Sequence, residues 1–207
     1  MPEPVSPPAG WRAALIEYIR DQARPVDKFS HQPRLYRLAR ELAVELPGDD
    51  DVLFAAAWLH DLGVFVGHRP EDPEALARWD NVASAMHSAP EVLTPLGFPL
   101  AKIPAVVEAI RAHLVSSTPT TPEGIVLRDA DILEQLGAVG ILRTVSKVGR
   151  DTRFPTFAEV LQVLGRNLET LPGQLRLARA RALAEPRVRT LRQFFEAATS
   201  EGNSIPW

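Results

Sequence analysis

Leu53-Phe54-Ala55-Ala56-Ala57-Trp58-Leu59-His60-Asp61-Leu62-Gly63 is the stretch on which the fold turns. An unbroken apolar run ends in an imidazole and a carboxyl group. Asp49-Asp50-Asp51 stands just ahead of it and puts carboxylates at the positive end of a helix. The pattern predicts that helix from Val52 to about Leu62, with Gly63 and Gly67 as its breakers. An ionised Asp61 at the end of so apolar a helix is costly to bury unless something compensates it. A divalent cation does so. Adjacent helical positions point about 100° apart, so His60 and Asp61 can flank one ion from a shared turn.

Outward from this helix the chain reads as more helices and almost no strands. Trp11 to Arg24 has apolar residues at helical spacing, and Pro25 ends it. Ser30 reads as an N-cap, with Pro33 in the first turn and an apolar stripe at Leu35, Leu38, Ala39 and Leu42. A short helix can open at Pro73 and run through Trp79. Asp80 can cap a helix over Val82 to Leu96, terminated by Gly97. Pro90 and Pro95 argue against its second half, and Ser88 with Glu91 has the spacing of a fresh capping box. Pro104 to Val115 follows. Thr120 with Glu123 has capping-box spacing ahead of a long helix, Gly124 to Val148, where Gly137 and Gly140 bend it or allow close packing. Thr156 to Leu171 and Gly173 to Thr199 complete the set, the last with a break near Pro186. Seven or eight helices predict an all-α, single-domain helical bundle over residues 10–200. A disordered Pro-rich tail over 1–9 and a frayed end over 201–207 flank it.

The composition narrows the function. A chain of 207 residues is one domain by length and can bury a core without staples. Acidic residues outnumber basic ones 26 to 23, so no nucleic-acid coat is expected. The absence of cysteine excludes disulfides, cysteine zinc sites, iron–sulfur clusters and thiol nucleophiles. No signal segment is recognisable, and no apolar run approaches the roughly 18 residues of a membrane span. The expectation is a cytoplasmic protein with no membrane partner. No P-loop, dinucleotide-binding glycine pattern or serine nucleophile elbow occurs.

The chemistry-bearing feature is the distribution of histidine and aspartate. Of the five histidines, His31, His60, His87 and His113 fall on four different predicted helices, while His68 sits in a polar loop and reads as a surface residue. Asp129 and Asp131 form a carboxylate pair in the apolar setting Leu127-Arg128-Asp129-Ala130-Asp131-Ile132-Leu133, and spacing alone does not choose between them. Imidazole plus carboxylate without thiolate suits Mn, Fe, Co, Ni or Zn with positions open to water. Any one of these histidines, taken alone, is more often an ordinary core or surface residue. Arg34 lies one turn after His31 on the same face and could hold a phosphate by paired hydrogen bonds. The competing view is a solvated stripe with Arg37 and Arg40. Lys102 and Arg143 are weaker candidates of the same kind. The arginines of the last helix read as its wet face.

The combination resembles the HD-domain superfamily of metal-dependent phosphohydrolases. The family pattern H…HD…D maps onto His31, His60-Asp61 and Asp131. Ser30-His31-Gln32-Pro33-Arg34-Leu35 is similar to the family's opening, and Ala55 to Gly63 to its AAxLHDxG core. Leu127 to Arg143 is similar to the QDADxLDxLGAxGIAR stretch of a subgroup of small stand-alone bacterial hydrolases. The likeness spans residues 26–145 and continues more weakly beyond.

The resemblance implies that His31, His60, Asp61 and Asp131 hold a metal, with Asp129 orienting a ligand or cap. It also implies that Asp61 bridges to a second ion held by His87 and His113. Binuclear relatives carry paired histidines there, whereas this chain has Met86-His87 and a single His113. One or two ions are therefore expected, Mg being admissible beside the transition metals. The implied activity is hydrolysis of a phosphate ester or anhydride, with a nucleotide as candidate substrate, by metal-activated water. Asp61 is the catalytic residue, as the ligand that fixes the nucleophile, and Arg34 the substrate-binding one. Two other readings stay open: a di-iron oxygenase on the same ligand set, and a non-catalytic metal-stabilised helical module. The oligomeric state is not legible.

Overall fold

A computed structural model of the chain describes residues 10–151 and 153–202. Among the described residues ten α-helices and four short 3-10 turns form, and no strand. The all-α class is as expected, and the helix count is higher. The expected tail over 1–9 lies outside the described residues, as do 203–207 of the one expected over 201–207, while 201 and 202 belong to the last helix, which continues through Gly202. The chain divides into two compact units, 1–127 and 128–207.

The first unit holds α1 (Trp11–Gln22), α2 (His31–Leu42), α3 (Asp50–Leu59), α4 (Pro73–Ala77), α5 (Asn81–Leu93) and α6 (Ile103–Ala112). It also holds the start of α7 (Pro122–Glu134), within which the division falls. Every residue of α3 from Val52 to Leu59 is buried. A helix that is apolar all round must be surrounded, and α1, α2 and α6 pack against it. Trp11 and Tyr36 meet Phe54 edge-on, with ring centroids 5.4 and 4.9 Å away. Gly63 is required by a close approach: a Cβ there would lie 2.4 Å from the Asn81 carbonyl oxygen.

Three local expectations change. Ser30 does not cap α2 with its side chain, because a 3-10 turn (Val26–Ser30) leads straight into the helix and the hydroxyl donates back to Asp27. Helix α5 runs unbroken through Pro90. Burying Val92 and Leu93 on its far side, worth roughly 1.5–3 kcal/mol each, offsets the roughly 3 kcal/mol cost of an interior proline. At the start of α7 the hydroxyl of Thr121, not Thr120, accepts from Gly124 N–H. The Glu123 carboxylate instead accepts the N–H of Asp49 at 2.6 Å.

The α3 N-terminus is anchored by charge. Asp49 caps it, accepting from Asp51 and Val52 N–H. Lys102 Nζ lies 2.8 Å from both the Asp49 and Asp51 carboxylates, and Arg12 donates to Asp51 and Asp50. The hydrogen bond from Lys102 chiefly holds Asp49 and Asp51 below their ordinary value of 3.8. A depressed carboxylate contributes stability above its unfolded value and loses it as pH falls through the lower folded one. Lys102→Met is therefore expected to lower the unfolding midpoint near neutral pH. The gap from the parent protein should close as pH drops below 3.8. Thermal unfolding across that range checks this; a gap independent of pH would contradict it.

The second unit holds the rest of α7, then α8 (Gly137–Val145), α9 (Phe157–Thr170) and α10 (Ala178–Gly202), the last three packed pairwise. The expected long helix over 124–148 is two, which accounts for part of the higher count. Gly137 adopts φ +68°, a conformation that ends the α7 path and favours glycine. Thr156 and Glu159 form a capping box on α9. Helix α10 does not break at Pro186. The carbonyl the proline leaves without a donor belongs to Ala182, an exposed residue, where water can serve it. Among the described residues no helix is long and apolar enough to cross a membrane.

Candidate metal centre

The buried α3 delivers His60 at its C-terminal end, and α2 delivers His31 as its first residue. Both imidazoles are buried. His60 Nδ1 lies 3.0 Å from the Ala57 carbonyl oxygen. A carbonyl only accepts, so Nδ1 carries the proton and Nε2 keeps its lone pair. That lone pair faces His31 Nε2 at 3.2 Å. Asp61 follows with φ −98° and ψ 9°, the sparsely populated bridge region where many active-site residues sit. Its Oδ2 lies 3.6 Å from His60 Nε2 and 3.7 Å from His31 Nε2.

Three candidate ligand atoms thus form a triangle with edges of 3.2–3.7 Å. Ligands about 2.0–2.1 Å from a common ion are about 2.9 Å apart at a right angle and about 3.4 Å apart at the tetrahedral angle. The spacing and the donor types fit a divalent cation, which would satisfy all three atoms at once. His113, at the end of α6, donates from Nδ1 to the Ile110 carbonyl. Its ring meets that of His60 edge-on, centroids 5.1 Å apart. The Asp61 side chain, 22% exposed, is the solvent-side member.

Not every candidate joins this group. His87 lies on α5 with its side chain 82% exposed, its Nε2 3.8 Å from Glu91 one turn on. The periodicity of α5 turns Val82, Ala85, Ala89, Val92 and Leu93 inward, and position 87 falls off that stripe. Arg34 is half-buried on α2, one turn after His31. Lys102 serves the α3 anchor. His68 is less solvated than expected: its Nε2 donates to Gln22 Oε1 at 2.8 Å, and burial lowers its pKa.

In the second unit Asp131 is half-buried and accepts from Gln135 at 3.0 Å, with Arg143 Nη1 4.0 Å away. Asp129 is wholly buried. Its Oδ2 accepts the N–H groups of Arg176 and Leu177 at 2.9 and 2.8 Å, and burial raises its pKa against those bonds. It ties α7 to the lead-in of α10, a task no local pattern announces. Sequence reasoning also passed over Gln32. This residue is fully buried beside His31, and its amide, with nitrogen facing them, donates to the Lys28 and Phe29 carbonyls at 2.9 and 3.0 Å. An uncharged polar residue next to a candidate ligand was the available signal.

An all-α frame here gathers imidazoles and a carboxylate at the end of a buried helix, a donor set that suits a divalent cation. The HD domain family model matches residues 29–136, more than half of the sequence. The chain belongs to the HD-domain family and is a metal-dependent phosphohydrolase.

Solved structures agree in fold. An HD-superfamily hydrolase of Bacillus thuringiensis is 23% identical with a TM-score of 0.66, covering 93% of this chain and 97% of that one. A protein of an uncultured Thermotogales bacterium, described as a predicted HD superfamily hydrolase, is 27% identical with a TM-score of 0.61, covering 90% of each. Bacillus subtilis YpgQ, solved in complex with ADP, is 22% identical with a TM-score of 0.65, covering 94% of this chain and 98% of that one. No curated protein matches the chain.

Proposed function

We propose that the chain hydrolyses a phosphate ester or anhydride of a nucleotide, using one divalent cation held by His31, His60, Asp61 and Asp131. The observation that carries this is the triangle of His31 Nε2, His60 Nε2 and Asp61 Oδ2, with His60 locked into the metal-binding tautomer by Ala57. His31 and His60 offer their Nε2 atoms to the same ion, and Asp131 joins the set through the H…HD…D pattern. His113 stands beside His60 as a further ligand candidate. His87 is left out of the set. Two imidazoles with two carboxylates suit Mn, the metal we favour.

A divalent cation bound there supplies positive charge that brings water ionisation toward neutral pH and polarises a phosphoryl oxygen. The chain does the rest. Asp61, the partly exposed carboxylate, orients the attacking water by a hydrogen bond. The carbonyl of Ala57 keeps His60 from rotating. Arg34 holds a non-reacting phosphate oxygen through its guanidinium fork. Water attacks phosphorus in line and the ester or anhydride oxygen leaves, with no covalent enzyme intermediate. The nucleotide assignment draws on the ADP bound to the similar YpgQ.

The test is phosphate release after chelation and reloading with Mn, Mg, Co, Ni or Fe in turn. Nucleoside mono-, di- and triphosphates are compared with simple phosphomonoesters. Metal-dependent release from nucleotides is expected, and no release from any substrate with any metal overturns the reading. Arg34→Ala should raise KM about 10-fold or more, the worth of a charged hydrogen bond, with kcat little changed. An unchanged KM would remove Arg34 from the site.

A further inference from the structure

We propose that a second recess in the first unit, built from other residues than the metal set, binds a small organic cation: a protonated amine carried on an apolar chain or ring. The recess encloses about 350 Å³ and lies between α1, the loop after Asp61 and the second half of α5. That is the lower end of the range for small-molecule sites, which are mostly apolar with a few convergent polar groups. Val92 and Leu96 contribute the apolar wall, and Tyr18, Ser88, His68 and Glu91 the polar groups.

The polar groups favour a cation over an anion. Glu91 is the one charged side chain among those lining the recess. Its carboxylate, 70% exposed, pairs with His87 Nε2 at 3.8 Å only when that imidazole is protonated, and otherwise can accept from an incoming donor. His68 Nε2 spends its proton on Gln22, so Nδ1 remains an acceptor. Burial keeps this imidazole neutral by lowering its pKa. Burial, with the Glu91 charge adding, pushes the Tyr18 phenol up, so it too stays uncharged. A pocket with one negative charge, neutral oxygen and nitrogen acceptors and an aliphatic wall matches three N–H donors on an apolar stem. A phosphate would face a carboxylate and no Lys or Arg among the lining residues.

Calorimetric titration of the full chain tests this with phenethylammonium, 2-phenylethanol and phenylacetate, which share a ring and differ in charge. Phenethylammonium should bind best. Glu91→Gln should weaken it at least tenfold while leaving metal content and phosphate release unchanged. Leu96→Trp, which fills the recess, should abolish binding of all three. Equal binding of the three probes, or phenethylammonium binding untouched by Glu91→Gln, overturns the proposal. So does binding that is lost in His60→Ala but kept in Glu91→Gln and Leu96→Trp. Because phosphate release is read separately, the recess and the metal centre can fail independently.

Discussion

Asp61→Asn is expected to lower metal-dependent phosphate release by at least about 100-fold, since supporting residues around a metal already account for 10–100-fold and Asp61 would hold the ion directly. The amide keeps the shape of the carboxylate and removes its charge. The triangle facing the ion then offers two imidazole nitrogens and a neutral oxygen, and the water-orienting acceptor is weakened. Folding should survive, because the Asp61 side chain is partly exposed and its backbone carbonyl, which accepts from Val64 N–H, is untouched. His60→Ala should remove the metal more completely, because it deletes a ligand atom outright, whereas Asp61→Asn leaves an oxygen in place. It also empties a buried position and costs stability. The two variants separate the effects: metal content and turnover fall in both, and the unfolding midpoint falls mainly in His60→Ala. Turnover in Asp61→Asn equal to that of the parent protein would refute the role assigned to the carboxylate.

What could be read in advance depended on how local the determining physics was. The run Leu53 to Asp61 is decisive by itself, because only a surrounded helix can carry so apolar a sequence. Its end then fixes where His60 and Asp61 stand. The cap at Asp80 and the helix starts near Asp49 and Thr156 were legible for the same reason, each cap being satisfied within three residues. Thr121 was not, because two adjacent threonines compete for one cap and Glu123 is drawn to Asp49, far back in the chain. Pro90 and Pro186 misled in one direction: the local cost of a proline is visible in sequence, and what offsets it is not, burial of Val92 and Leu93 for Pro90 and an exposed Ala182 carbonyl open to water for Pro186. His87 shows the reverse. The α5 apolar stripe already set position 87 apart, and its place in the ligand set came from resemblance alone. Asp129 could not be assigned from spacing, since its partners Arg176 and Leu177 lie a whole helical hairpin away.

Phe65→Ala should cost about 3–5 kcal/mol, as large-to-small changes at fully buried aromatics do. Phe65 has no exposed surface and is among the largest side chains so enclosed. It also organises the loop that leaves the metal centre. Its N–H donates to Leu62, its carbonyl accepts from His68 and Arg69, and the neighbouring Val66 N–H donates to Arg24. Removing the ring leaves these backbone bonds without the packing that holds them in register. At roughly 2–4 °C per kcal/mol for a chain of this length, the unfolding midpoint should fall by roughly 6–20 °C. Phe65→Leu should recover most of that loss, because it retains a buried apolar side chain. Asp61 lies only four residues upstream, so the loosened loop should reduce turnover as well, but less than Asp61→Asn does. The metal ligands themselves remain, and saturating metal should restore part of the rate. Urea denaturation measures the stability loss, and phosphate release at limiting and saturating metal measures the rate. A loss below about 1 kcal/mol would mean that the Phe65 site collapses onto its neighbours and that the loop is held by its hydrogen bonds instead.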